Sequence, residues 1–114
     1  MGLDFIGSNA HWSYGGFDRF RVRLASEIGI DLDKMNGFRD GGLSWETIQD
    51  DIKILLNHSD CDGEISPEDC GKVAKRLQEL IQNWPDDGYD KQQALLLIKG
   101  MADCSNNGEQ LEFC

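Results

Sequence analysis

Residues 66–85 read Ser66-Pro67-Glu68-Asp69-Cys70-Gly71-Lys72-Val73-Ala74-Lys75-Arg76-Leu77-Gln78-Glu79-Leu80-Ile81-Gln82-Asn83-Trp84-Pro85, a stretch that marks its own beginning, buried face and end. Ser66 is placed as an N-cap, and Pro67 takes the first helical position, where a missing N–H costs nothing. Glu68 and Asp69 complement the positive end of the helix dipole. Val73, Leu77, Leu80, Ile81 and Trp84 recur at the spacing of one helical face, and Pro85 ends the helix. A helix is therefore predicted here, packed through that stripe.

The same reading works outward in both directions. Upstream, Ser44 caps a predicted second helix whose stripe is Ile48, Ile52, Leu55 and Leu56. Downstream, residues 90–103 read as a helix in which Leu95, Leu96, Leu97 and Ile98 are apolar nearly all round, which predicts the central, most buried helix. A further helix is predicted between Gly15-Gly16 and Gly29, with Phe17, Phe20, Leu24 and Ile28 on one face. Phe20, Val22 and Leu24 also alternate with Arg19, Arg21 and Arg23 as a strand would, but the longer helical series outweighs that pattern. Residues 30–43, with Gly37, Gly41 and Gly42 and the polar Asp31, Asp33, Asn36 and Asp40, read as a long loop. Leu3-Asp4-Phe5-Ile6 and Gln110-Leu111-Glu112-Phe113 alternate in part and are expected to pair as two short strands. The expected fold is mainly α: one four-helix domain spanning 1–114. Phe20, Leu24, Ile48, Ile52, Leu55, Val73, Leu77, Leu80, Leu97 and Ile98 are its expected core.

Composition narrows the function. The chain has 114 residues, enough for one core and too few for two. Its 21 acidic and 11 basic residues give a net charge of −10, which repels a phosphate backbone and argues against direct nucleic-acid binding. That charge suits a basic partner surface, and it equally serves solubility alone. The longest apolar run, Ala94 to Ile98, falls far short of a membrane span, and residues 1–13 lack the basic and apolar regions of a secretory leader. Cys61, Cys70, Cys104 and Cys114 crowd into the second half, a distribution that reads as free thiols in a reducing cytoplasm.

Between the second and third helices, residues 58–69 (HSDCDGEISPED) resemble an EF-hand loop. With Gly63 at the sixth position, Asp60, Asp62, the Glu64 carbonyl, Ser66 and Asp69 fall on ligand positions for calcium or magnesium. Two residues depart from the pattern: His58 stands at the first position in place of Asp, and Asp69 at the twelfth in place of a bidentate Glu. The alternative is a helix–loop–helix corner in which Asp60 and Asp62 bond backbone N–H groups. His58, Cys61, Cys70 and His11 also offer zinc-type ligands, but they supply only one close pair. No nucleophile elbow surrounds Ser13 or the cysteines, and Asp50-Asp51 and Asp86-Asp87 are adjacent residues that diverge, so the chain reads as non-enzymatic.

The segment before the first helix concentrates aromatic and polar groups: His11, Trp12 and Tyr14, then Gly15 and Gly16, then Arg19 and Arg23 on the helix. Glycines at a helix start admit an anion, while aromatic and arginine side chains dominate binding surfaces. These seven residues are the candidate contact site. The competing account places Trp12 and Phe17 in the core with His11 and Tyr14 at its rim.

The runs GLDF, HWSYGGF, NHSDCDG and LEF together look like a group of short bacterial and bacteriophage proteins of no assigned function. That resemblance implies a bacterial or phage cytoplasmic setting and supplies no activity, though it favours the idea of a small acidic phage or mobile-element protein that inhibits or neutralises a host factor. The expectation is a protein-interaction module or inhibitor; the alternatives are a binder of a small anionic, nucleotide-like ligand and a divalent-cation module.

Overall fold

The structure, a computed structural model, describes residues 2–38 and 41–114. Among the described residues, four α-helices, two 3-10 turns (Leu32–Lys34 and Trp45–Thr47) and a three-stranded antiparallel sheet form: β1 (Phe5–Ile6), α1 (Tyr14–Glu27), α2 (Lys53–Leu56), β2 (Glu64–Ile65), α3 (Pro67–Ile81), α4 (Tyr89–Asn107) and β3 (Leu111–Phe113). The fold is mainly helical, as the patterning predicts.

The helix built on residues 66–85 forms as its signals dictate. Ser66 accepts a hydrogen bond from the Asp69 N–H at 3.2 Å, and Cys70, Val73, Ala74, Leu77 and Ile81 face the core. Helix α3 ends at Ile81, three residues before Trp84. Lys91, reaching back from α4, donates to the Gln82 and Trp84 carbonyls at 3.1 and 3.2 Å, satisfying acceptors that a helix end leaves open. Helices α3 and α4 form a tight antiparallel hairpin. A Cβ on Gly71 would sit 2.8 Å from the Ser105 hydroxyl, and one on Gly100 would run into the Gly7 carbonyl, so both glycines are places of close approach.

Two helix boundaries, and the burial of α4, differ from expectation. Ser44 does cap, accepting from Glu46 N–H, but only a 3-10 turn follows at Trp45–Thr47, and α2 begins later, at Lys53. Asp50 explains the break. Its carboxylate accepts from the Ile52 N–H and is held by Arg76 of α3 through Nε and Nη2 at 3.0 and 2.9 Å, so the side chain works as a local cap and cross-link at a point where a continuous helix would expose it. Helix α4 runs one turn past residue 103, to Asn107. Gly108 adopts the left-handed conformation there (φ 68°), letting the Glu109 N–H return to the Cys104 carbonyl. Nor is α4 central: Leu95 and Leu96 are exposed, and its core face is Ala94, Leu97, Met101 and Cys104.

The chain ends pair as their alternation predicts, with Phe5 opposite Phe113 and Ile6 opposite Glu112. A third strand is added by Glu64–Ile65, in the order β1-β3-β2. Phe5, Ile65, Leu111 and Phe113 point inward; Ile6, Glu64 and Glu112 lie across the outer face. Of the expected core, Phe20, Leu24, Ile52, Leu55, Val73, Leu77 and Leu97 are buried, while Ile48, Leu80 and Ile98 pack partly buried against it. Asp40 of the 30–43 loop lies outside the described residues.

Candidate functional site

Helix α1 starts at Ser13, whose hydroxyl accepts from the Gly16 N–H at 3.0 Å. Its first turn carries no acidic residue, although the chain as a whole is strongly acidic. Arg19 folds back over that turn: a Cβ on Gly15 would sit 3.4 Å from Arg19 Nη1, and one on Gly16 3.8 Å from Nη2. The two glycines therefore make room for a guanidinium over the helix start.

One turn on, Arg23 lies over Trp84, its guanidinium carbon 3.8 Å from the ring centroid and its Nη1 3.7 Å from Asp90 Oδ2. Trp84 is oriented in turn by its Nε1–H, which donates to Glu27 at 3.1 Å. Asp90 also accepts from the Trp12 indole at 3.2 Å, so one carboxylate ties the segment before α1 to Arg23. Tyr89, more than half exposed, donates its hydroxyl to the His11 carbonyl at 2.6 Å. The His11 N–H donates to Gln93, and its imidazole meets Asp4 at 2.8 Å.

Gly15, Gly16 and Arg19 thus share the start of α1, Arg23 sits one turn on against Trp84 and Asp90, and His11 is tied to the start of α4 by its backbone while its imidazole turns to Asp4. Two predicted members stand apart. Trp12 is 1% exposed, stacked on Phe20 with centroids 4.5 Å apart, and it presents no contact surface; the anchoring bond to Asp90 gave its polar atom a partner inside. Tyr14 is exposed but projects about 140° around α1 from Arg19. Sequence patterning assigns Trp84 to the α3 stripe and gives no link from it, Tyr89 or Asp90 to this site. The turn Pro85-Asp86-Asp87-Gly88, which leads into Tyr89 and Asp90, is visible in the sequence, but its destination is not.

The 58–69 loop has a different organisation. Gly63 makes its turn at φ 90°. His58 reaches across it: Nε2 lies 3.0 Å from the Glu64 carbonyl oxygen and Nδ1 2.9 Å from that of Ser59, while the ring stacks on Phe113. Ser66 caps α3, Glu64 lies opposite Glu112 in the sheet, and the helix leading in is the four-residue α2. Among the described residues no three His, Cys, Asp or Glu side chains gather as a metal-ligand group, which covers Asp60, Asp62, Glu64 and Asp69 as well as the zinc-type set of His11, His58, Cys61 and Cys70. All four cysteines are free. Burial pushes the Cys70 thiol up to about 11, and it raises that of Cys104 as well.

No described helix is long and apolar enough to cross a membrane. No family model, curated protein or solved structure matches the chain.

Proposed function

We propose that the chain is a non-enzymatic protein-binding module and that its contact surface is the outer face of α1 with the start of α4. The carrying observation is Arg23, laid 3.8 Å over Trp84 and paired with Asp90, one helical turn from the exposed Arg19. A guanidinium already fixed on an aromatic face loses little freedom on binding, and Arg, Tyr and Trp are the residues that dominate interface energetics. Action on a host factor, in a bacterial or bacteriophage cytoplasm, rests on the sequence resemblance alone. Hydrogen exchange on a stoichiometric complex tests the surface. Protection is expected over residues 13–23 and 84–93; protection confined to the sheet or to 30–48 would place the contact elsewhere.

A second reading is favoured by the Arg19 guanidinium over the Gly15-Gly16 helix start: capture of a small anionic, nucleotide-like ligand. It predicts binding that weakens with salt and is lost in Arg19→Gln. The calcium or magnesium reading of the 58–69 loop keeps the support of its spacing and of the turn at Gly63. In it, the first loop position is held by a histidine already bonded to the seventh-position carbonyl.

A further inference from the structure

On the opposite side of α1 from Arg19 lies an open cleft of about 480 Å³ between α1, the loop at Gly37-Phe38 and residues 57–60. Its volume is in the range of small-molecule sites. Arg21 lines it and is the most buried charged residue described, 5% exposed. Its guanidinium lies between two aromatic rings, 4.8 Å from the Phe17 centroid and 5.3 Å from that of Phe38. Nη1 donates to the His58 and Leu56 carbonyls at 2.6 and 3.3 Å, and Nε has no partner. Among the described residues no carboxylate forms an ion pair with it.

A buried cation without a contacting counter-ion is expensive, because carbonyl dipoles, ring faces and carboxylates at a distance offset its desolvation only in part. Burial lowers the Arg21 pKa, while Asp60 and Asp18 act in the opposite direction from a distance. Both aspartates line the same cleft, with Asn57 and Ser59 beside them. Among the described lining residues the charge therefore runs from positive at Arg21 to negative at the two aspartates. A simple anion would complement Arg21 but meet the repulsion of Asp18 and Asp60, most strongly if doubly charged. A cation would face the reverse conflict.

We propose that this cleft binds a small zwitterion of the free α-amino-acid class, its carboxylate toward Arg21 and its ammonium toward Asp18 and Asp60. The apolar face of Phe38 forms the wall beside the bound molecule. The site is separate from the α1 contact surface and does not depend on it.

The test is an NMR titration of the intact protein, following the Arg21 side-chain N–H and the backbone amides of Phe38, Asn57 and Ser59. Glycine, acetate, methylammonium and inorganic phosphate are compared at equal ionic strength. Glycine should give saturable shifts at these positions, with acetate, methylammonium and phosphate each weaker. Because Arg21 also caps the turn at 56–58, its substitution would confound folding with binding, so the rim is varied instead. Asp60→Asn should weaken the glycine response by about three- to fivefold, the equivalent of an exposed ion pair, and leave acetate no weaker. Absence of saturable glycine shifts, acetate or phosphate matching glycine, or an unchanged glycine response in Asp60→Asn would each overturn the proposal.

Discussion

His58 and Phe113 stack with ring centroids 3.9 Å apart and planes inclined by 23°. The contact fastens the 58–64 loop to the last strand. Phe113 is also packed edge-on against Phe5 at 4.9 Å, so it serves the sheet and the core together. Phe113→Ala should cost about 3–5 kcal/mol and His58→Ala about 0.5–1.5 kcal/mol in urea denaturation. Equal losses for the two variants would mean that the loop, and not the strand, carries the anchoring.

Asp50 and Arg76 tie the broken second helix to α3. Burial alone would raise the Asp50 carboxyl, but the hydrogen bonds from Arg76 and the Ile52 N–H outweigh it and hold the pKa below its ordinary value. A lowered folded-state value stabilises the fold above the ordinary carboxylate range, and that contribution is lost as pH falls through the folded value. Arg76→Ala should therefore cost about 1 kcal/mol at neutral pH, with the gap to wild type closing below about pH 4. A gap that stays constant down to acid denaturation would show that Arg76 acts through packing alone.

The four thiols divide into two classes. Cys61 and Cys114 are exposed; Cys70 and Cys104 are buried, and their raised pKa values keep them protonated at neutral pH. Iodoacetamide on the native protein should modify two cysteines quickly and all four only after unfolding. Rapid modification of Cys70 in the native state would contradict the packing of α3 on α4 and the sheet.

Helix α4 offers a paired test of its orientation. Leu97 is fully buried and Leu95 exposed, so Leu97→Ala should cost about 2–5 kcal/mol and Leu95→Ala no more than about 0.5 kcal/mol. Comparable costs would restore the reading of α4 as an all-round buried helix.

What could be read from the sequence was local. Ser66, Pro67 and Gly29 mark helix limits through their own backbone chemistry, and the alternation in Leu3–Ile6 and in Gln110–Phe113 indicates the strands that pair. The break near Asp50 depends on Arg76, 26 residues away, and β2 depends on β3, so neither has a local signal. The contact site shows the same division. Gly15, Gly16, Arg19 and Arg23 stand out as a cluster in sequence, but the buried Trp12 indole finds its partner in Asp90, 78 residues on, and Tyr89 reaches the His11 carbonyl across the same separation. Four consecutive apolar residues at 95–98 could not reveal which two would face solvent.

The central claim is that α1 and the start of α4 form the contact surface, and the most direct measurement is the affinity of the combined Arg19→Glu, Tyr89→Ala variant for a protein that binds the wild-type chain stoichiometrically. Both side chains are exposed, and Tyr89 gives up only one surface hydrogen bond, so the melting temperature should stay close to that of wild type. The account predicts at least a tenfold loss of affinity in titration calorimetry, about 1.4 kcal/mol or more, with the fold intact. Undiminished affinity in a folded variant would contradict it.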